Sequence, residues 1–144
     1  MCFRMRGAGW RILRLDAEMT LHDAAMTRMA QWWQRARRAG HTYAEGVALH
    51  GSAPERYRVA ELRRTLLWGA GVPALALFGA LLISPWALLI LLAWPVQVIR
   101  LVLKGRSWEQ AVFLTLGKLP EAQGAVGYWL ARVTGRRRAL IEYK

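Results

Sequence analysis

The residues of this chain whose types and spacing bear on chemistry are three histidines, one close pair of carboxylates and a row of arginines. His41 and His50 are nine positions apart, which on a helix puts them about 180° from one another, so they cannot share a metal ion on one helix. His22-Asp23 stands where a helix is expected to begin, a position that could present a catalytic or metal-binding group or simply cap the helix. Asp16-Ala17-Glu18 has the i, i+2 spacing that can grip a divalent cation on a diphosphate, although such pairs are common. Arg28, Gln31, Arg35 and Arg38 recur at i, i+3, i+7 and i+10 and would form one polar, cationic face suited to a phosphate-bearing ligand. The sequence contains no glycine-rich phosphate loop and no Cys-x-x-Cys, and a lone Cys2 excludes an internal disulfide.

The elements that would position these groups are organised around an uncharged run from Thr65 to Ile99, bracketed by Arg64 and Arg100. At about 1.5 Å per residue a single helix of that length far exceeds the roughly 30 Å of membrane hydrocarbon. Ser84-Pro85 falls near the middle, and proline disfavours helical geometry in the residue before it. The run therefore predicts two spans, Thr65 to Ile83 and Trp86 to Lys104, with Pro73 and Pro95 as kinks. Gly69, Gly71, Ala76, Gly79 and Ala80 would allow the two helices to approach closely. A buried hairpin in a soluble helical domain is the alternative.

Of the 21 Lys and Arg residues, 12 precede Thr65 and 9 follow Ile99, and the turn at Ser84 has none nearby. The positive-inside rule then puts both flanks in the cytoplasm. It also accounts for the net charge of +12 without nucleic acid. Basic flanks gain further attraction to an anionic leaflet. No signal peptide is evident ahead of the hairpin, since the N-terminal arginines surround no compact apolar core.

The flanks read as helices. Gly7 and Gly9 would close a short basic helix, and Trp10, Ile12 and Leu15 alternate with Arg11 and Arg14 as in a short strand. Thr20 to Arg38 is expected as an amphipathic helix ended by Gly40, with Ala25, Met29, Trp32, Trp33 and Ala36 on its apolar face. That face could pack on another domain or lie in the lipid interface. Ser52 with Glu55, and Ser107 with Gln110, are capping-box signatures for helices before and after the hairpin, and Pro120 opens another that ends near Gly135, ahead of Arg136, Arg137 and Arg138. The chain thus divides into 1–51, a juxtamembrane helix over 52–64, a hairpin over 65–104 and a basic helical tail over 105–144. The fold class expected is mainly α, with a transmembrane hairpin, amphipathic flanking helices and one N-terminal strand.

The run from Gly9 to Asp16, Met19-Thr20-Leu21-His22-Asp23 and the segment from Gln31 to His41 resemble the C-terminal part of bacterial family 2 glycosyltransferases. Gly117-Lys118-Leu119-Pro120-Glu121 and the ending Leu140-Ile141-Glu142-Tyr143-Lys144 resemble the tail of the same membrane-anchored group. The resemblance implies sugar transfer from a nucleotide sugar to an envelope polysaccharide or lipid-linked acceptor. In the family a GT-A domain does this with a divalent metal held by an Asp-x-Asp motif. This chain corresponds to the part after that domain, so no nucleotide sugar or metal site is carried over. His22 takes the place of a histidine near the donor diphosphate, and Gln31 with Arg35 and Arg38 resembles a Gln/Arg element on the diphosphate or acceptor side, all in supporting roles. The processive members' Gln-x-x-Arg-Trp would require arginine and tryptophan where this chain has Gln34 and Arg35. The partners implied are the lipid bilayer and a catalytic glycosyltransferase half or subunit, and the location is the bacterial inner membrane. A small inner-membrane adaptor that anchors a partner protein is the other reading.

Overall fold

A computed structural model describes residues 5, 8–11, 27–52 and 56–135, and they are mainly helical. In chain order the helices are α1 (Met29–His50), α2 (Val59–Leu82), α3 (Pro85–Leu103), α4 (Trp108–Leu116) and α5 (Lys118–Val133). No strand occurs among the described residues. Trp10 and Arg11 belong to no regular element, and 12–15 lie outside the described residues, so the N-terminal strand expected there is not supported. The basic helix that Gly7 and Gly9 were expected to close lies, apart from Met5, outside the described residues, as does Gly7; Gly9 itself is described. Its backbone is left-handed, φ +83°, and the Ala8 and Trp10 N–H groups both donate to the Met5 carbonyl.

Proline chemistry shapes the hairpin. Ser84, before Pro85, is extended as that position requires, and its hydroxyl accepts the Trp86 N–H at 3.4 Å to start α3. The first eight residues of α3, Pro85–Leu92, form a 3-10 helix, an unusually long run of that geometry. At about 2.0 Å per residue there and about 1.5 Å beyond, the 19 residues of α3 reach roughly 32 Å. α2 has 24 residues and contains a π-helical turn at Leu67–Gly71, which ends two positions before Pro73. Within that turn the Val72 N–H donates to the Leu67 carbonyl. The next donor in the same register would be Pro73, which has no N–H, so the Trp68 carbonyl loses its backbone partner. The Trp94 indole of α3 donates to that carbonyl at 3.2 Å. Pro73 and Pro95 thus stand beside altered helical geometry, π and 3-10 respectively, where kinks were expected.

Both α2 and α3 are long and apolar enough to cross a membrane, and only 22% and 6% of their apolar windows are buried inside the structure. A core helix of a soluble protein is largely covered. Here Leu81, Leu82, Ile83 and Trp86 are all at least three-quarters exposed. Gly79 meets Ala87 across the hairpin, as the small-residue pattern predicts. Gly69 does not. It packs against the Lys118 carbonyl of α5, and a Cβ there would overlap that backbone.

At the base of the hairpin α1 and α5 cross each other and α5 packs on α2. Backbone meets backbone: Gly40 of α1 lies against Glu121, and Gly124 of α5 lies against the Arg37 carbonyl. Ala44, Leu62 and Ala125 fill the core of this junction, ringed by Tyr43, Val47, Leu66 and Tyr128. The helix expected to end before Gly40 therefore runs through it to His50. A glycine costs a helix about 1 kcal/mol relative to alanine, and here the absent Cβ is what permits the crossing. Met29 and Trp33, assigned to the apolar face, are largely exposed, while Trp32, Gly40 and Ala44 turn inward. Thr20 and Ala25 lie outside the described residues. The juxtamembrane helix begins at Val59, with left-handed Arg58 before it, and 53–55 lie outside the described residues. Ser107 caps α4 as expected, accepting the Gln110 N–H at 3.3 Å, and Trp32 meets Phe113 of α4 edge-on at 5.4 Å.

Candidate functional site

Gln31, Arg35 and Arg38 all lie on α1 and are exposed. Gln31 is engaged locally: its Oε1 accepts the Arg28 backbone N–H at 3.3 Å, closing the first turn. Arg37, by contrast, is on the side that crosses α5. His22, the Asp16/Glu18 pair and Arg136 to Arg138 lie outside the described residues. His41 packs edge-on against Tyr128 at 5.1 Å and His50 against Tyr57 at 6.3 Å, each in an aromatic contact of its own. Among the described residues no three His, Cys, Asp or Glu side chains converge as metal ligands.

What the fold does gather is a polar clamp where α5 meets α2. Glu121 Oε2 accepts two hydrogen bonds, from Thr65 Oγ1 at 2.7 Å and from Lys118 Nζ at 2.6 Å. Thr65 is fully buried and the Glu121 side chain is 14% exposed. A carboxylate held so far from water is costly unless paired, and here one oxygen takes a cation and a hydroxyl together. The clamp pins the start of α5 to the point where the apolar part of α2 begins. Tyr43 of α1 lies close enough to sense it. Burial pushes the Tyr43 phenol above its ordinary value, the Glu121 charge adds to the rise, and Arg58 opposes it. The Arg58 guanidinium lies 5.3 Å above the Tyr43 ring and 5.4 Å from the Tyr57 ring. Arg58 is raised above its ordinary value, chiefly by the Tyr57 side-chain hydrogen bond, with burial opposing. Arg58 also pairs loosely with Glu61 at 3.8 Å.

Beside the clamp is an open groove of about 460 Å³, floored by Gly69 and Ala70 of α2 and walled by Ala122, Val126 and Leu130 of α5. Arg37 and Gln123 line it too, and the Trp33 indole donates to Gln123 Oε1 at 3.1 Å. The volume is within the range of small-molecule sites.

Sequence reasoning missed both features. Lys118 and Glu121 at i, i+3 formed a visible signal for an ion pair. Nothing in the sequence indicated that Thr65, 56 positions earlier, would be its third member. Chemically the clamp holds helices together: its carboxylate is engaged by the Lys118 ammonium and by the Thr65 hydroxyl, which is itself fully buried. No family model matches the chain, and no curated protein or solved structure matches it. The likeness to glycosyltransferases rests on the motifs quoted above.

Proposed function

We propose that the chain is a membrane-anchoring unit that holds a catalytic glycosyltransferase half or subunit of family 2 at the cytoplasmic face of the bacterial inner membrane. In this reading α2 and α3 form a two-span hairpin, the Ser84 turn faces the periplasm, and both flanks stay in the cytoplasm. The observation that carries it is the pair of exposed apolar helices whose far turn is uncharged and whose near ends carry Arg63, Arg64, Arg100 and Lys104. Tryptophans support the same frame: Trp68 and Trp94 lie toward the cationic end and Trp86 at the turn, the two levels at which indoles favour a bilayer interface. The helical base clamped to α2 is the part that would meet the partner. By itself the chain transfers no sugar, because it lacks recognisable groups for holding a nucleotide or activating an acceptor hydroxyl.

The adaptor reading, a small protein that anchors a different partner, has one observation in its favour: the Gln31 side chain is engaged in closing the first turn of its own helix. Cysteine accessibility tests the shared topology. In a Cys2→Ser background, a membrane-impermeant maleimide applied outside the cell should label Ser84→Cys and leave Ser52→Cys unlabelled. The reverse pattern inverts the topology and removes this reading. Co-purification with a glycosyltransferase catalytic subunit separates the first reading from the second.

A further inference from the structure

We infer that the groove between α1, α2 and α5 is a binding site for one anionic phospholipid of the surrounding bilayer. The inference rests on the anchoring reading, because it takes the level of the groove from the membrane frame. Gly69 and Ala70 lie five and six positions beyond Arg64, about 8–9 Å along the helix axis, so the floor of the groove is at the upper edge of the hydrocarbon. Gly69, Ala70 and Ala122 remove side-chain bulk from the floor, and Val126 and Leu130 supply apolar walls, an arrangement that can take part of an acyl chain.

The polar part of the lining, Arg37 and Gln123, lies where α1 crosses α5 at Gly124 and carries charge of one sign. Among the described residues lining the groove Arg37 is the charged one, Gln123 is an amide, and none is a carboxylate. A cation and an amide at the level of the headgroups, above an apolar floor, complement a phosphodiester and its acyl chain. A zwitterionic lipid would satisfy the floor equally well but adds a cation of its own near Arg37. Discrimination should therefore favour phosphatidylglycerol over phosphatidylcholine, and it should depend on Arg37.

The test is native mass spectrometry of the full chain released from mixed nanodiscs of phosphatidylglycerol and phosphatidylcholine. One phosphatidylglycerol should be retained in preference to phosphatidylcholine. Arg37→Gln should lower that preference about fivefold, the effect of one cation at an anionic surface. Lys104→Gln, which removes an exposed charge at the end of α3 away from the groove, should leave it unchanged. Gly127→Leu should abolish retention of either lipid, because a Cβ at Gly127 meets nothing within 4 Å and the larger side chain can enter the groove without disturbing the fold. Equal retention of both lipids, an equal effect of Lys104→Gln, or retention restricted to an added polyprenyl phosphate would overturn the inference. Labelling of Ser84→Cys from outside intact cells keeps the two proposals distinguishable. A correctly inserted chain without lipid preference refutes the lipid site alone, whereas a chain that does not insert refutes both.

Discussion

The hydrogen bond from the Trp94 indole to the Trp68 carbonyl yields a prediction that isolates one interaction. The π turn and Pro73 together leave that carbonyl without a backbone donor, so the indole is a replacement partner, 3.2 Å away and partly buried. A neutral hydrogen bond contributes about 0.5–1.5 kcal/mol, and stranding a buried acceptor costs about 1–3 kcal/mol. Interhelical bonds in membranes have averaged about 0.6 kcal/mol, with a maximum near 1.7. Trp94→Phe removes the donor along with part of the packing, so the single variant mixes two effects. Pro73→Ala separates them. Alanine supplies the missing N–H, and whether the turn stays π or relaxes to α, the Trp68 carbonyl regains a backbone donor. Trp94→Phe should then cost about 1 kcal/mol less in the Pro73→Ala background than in the natural chain. Equilibrium unfolding in mixed dodecylmaltoside and SDS micelles, followed by circular dichroism, measures all four corners of the cycle. Equal costs in the two backgrounds, within about 0.3 kcal/mol, would refute the view that Pro73 creates the need for Trp94.

Gly40→Leu should destabilise the chain by about 3 kcal/mol or more, because backbone opposes the new side chain, whereas Gly127→Leu, which meets open space within α5, should leave stability unchanged or raise it by up to about 1 kcal/mol; the same unfolding assay compares them. The raised Tyr43 phenol makes a contribution that is complete below its unfolded value of 10.0 and is lost as pH rises through the higher folded value. Tyr43→Phe should accordingly flatten the fall in unfolding midpoint as pH rises above 10.0, and an unchanged slope would exclude Tyr43 as its source. The isolated chain should neither hydrolyse nor transfer from a nucleotide sugar with Mg²⁺ or Mn²⁺. Joined to an upstream catalytic half, Arg35→Ala should lower turnover more than Arg28→Ala. Turnover by the chain alone, abolished by Asp16→Ala or Glu18→Ala, would return that carboxylate pair to the active site.

The hairpin was legible because its signals are local: an unbroken absence of charge and a proline that forbids helix in the residue before it. The Ser107 cap was legible for the same reason. Glycines were not. Gly9, with its left-handed backbone, ends a turn, while Gly40 lies mid-helix against Glu121, and sequence alone gives the two the same meaning. Their roles differ through what packs against them, which is set by a helix some 80 positions away in the case of Gly40. Trp94 and Thr65 were opaque for a related reason, since each completes a hydrogen bond begun far off in the chain. Of the residues that the glycosyltransferase resemblance brought forward, Arg35 and Arg38 are exposed together on α1, Gln31 closes the first turn, and His22 falls outside the described residues.

The long 3-10 stretch gives α3 a property that α2 lacks. Each residue passing from 3-10 to α geometry shortens a helix by about 0.5 Å, so Pro85–Leu92 holds about 4 Å of travel. Bilayers of different lipid composition differ in thickness by a few ångströms. Were the hairpin to span a thinner membrane, α3 could contract like an accordion at its Ser84 end, while α2, pinned at Thr65 and Gly69 to the helical base, would have to tilt. One arm of the hairpin would thus absorb a change in thickness as length and the other as angle, and the tilting arm carries the base with it.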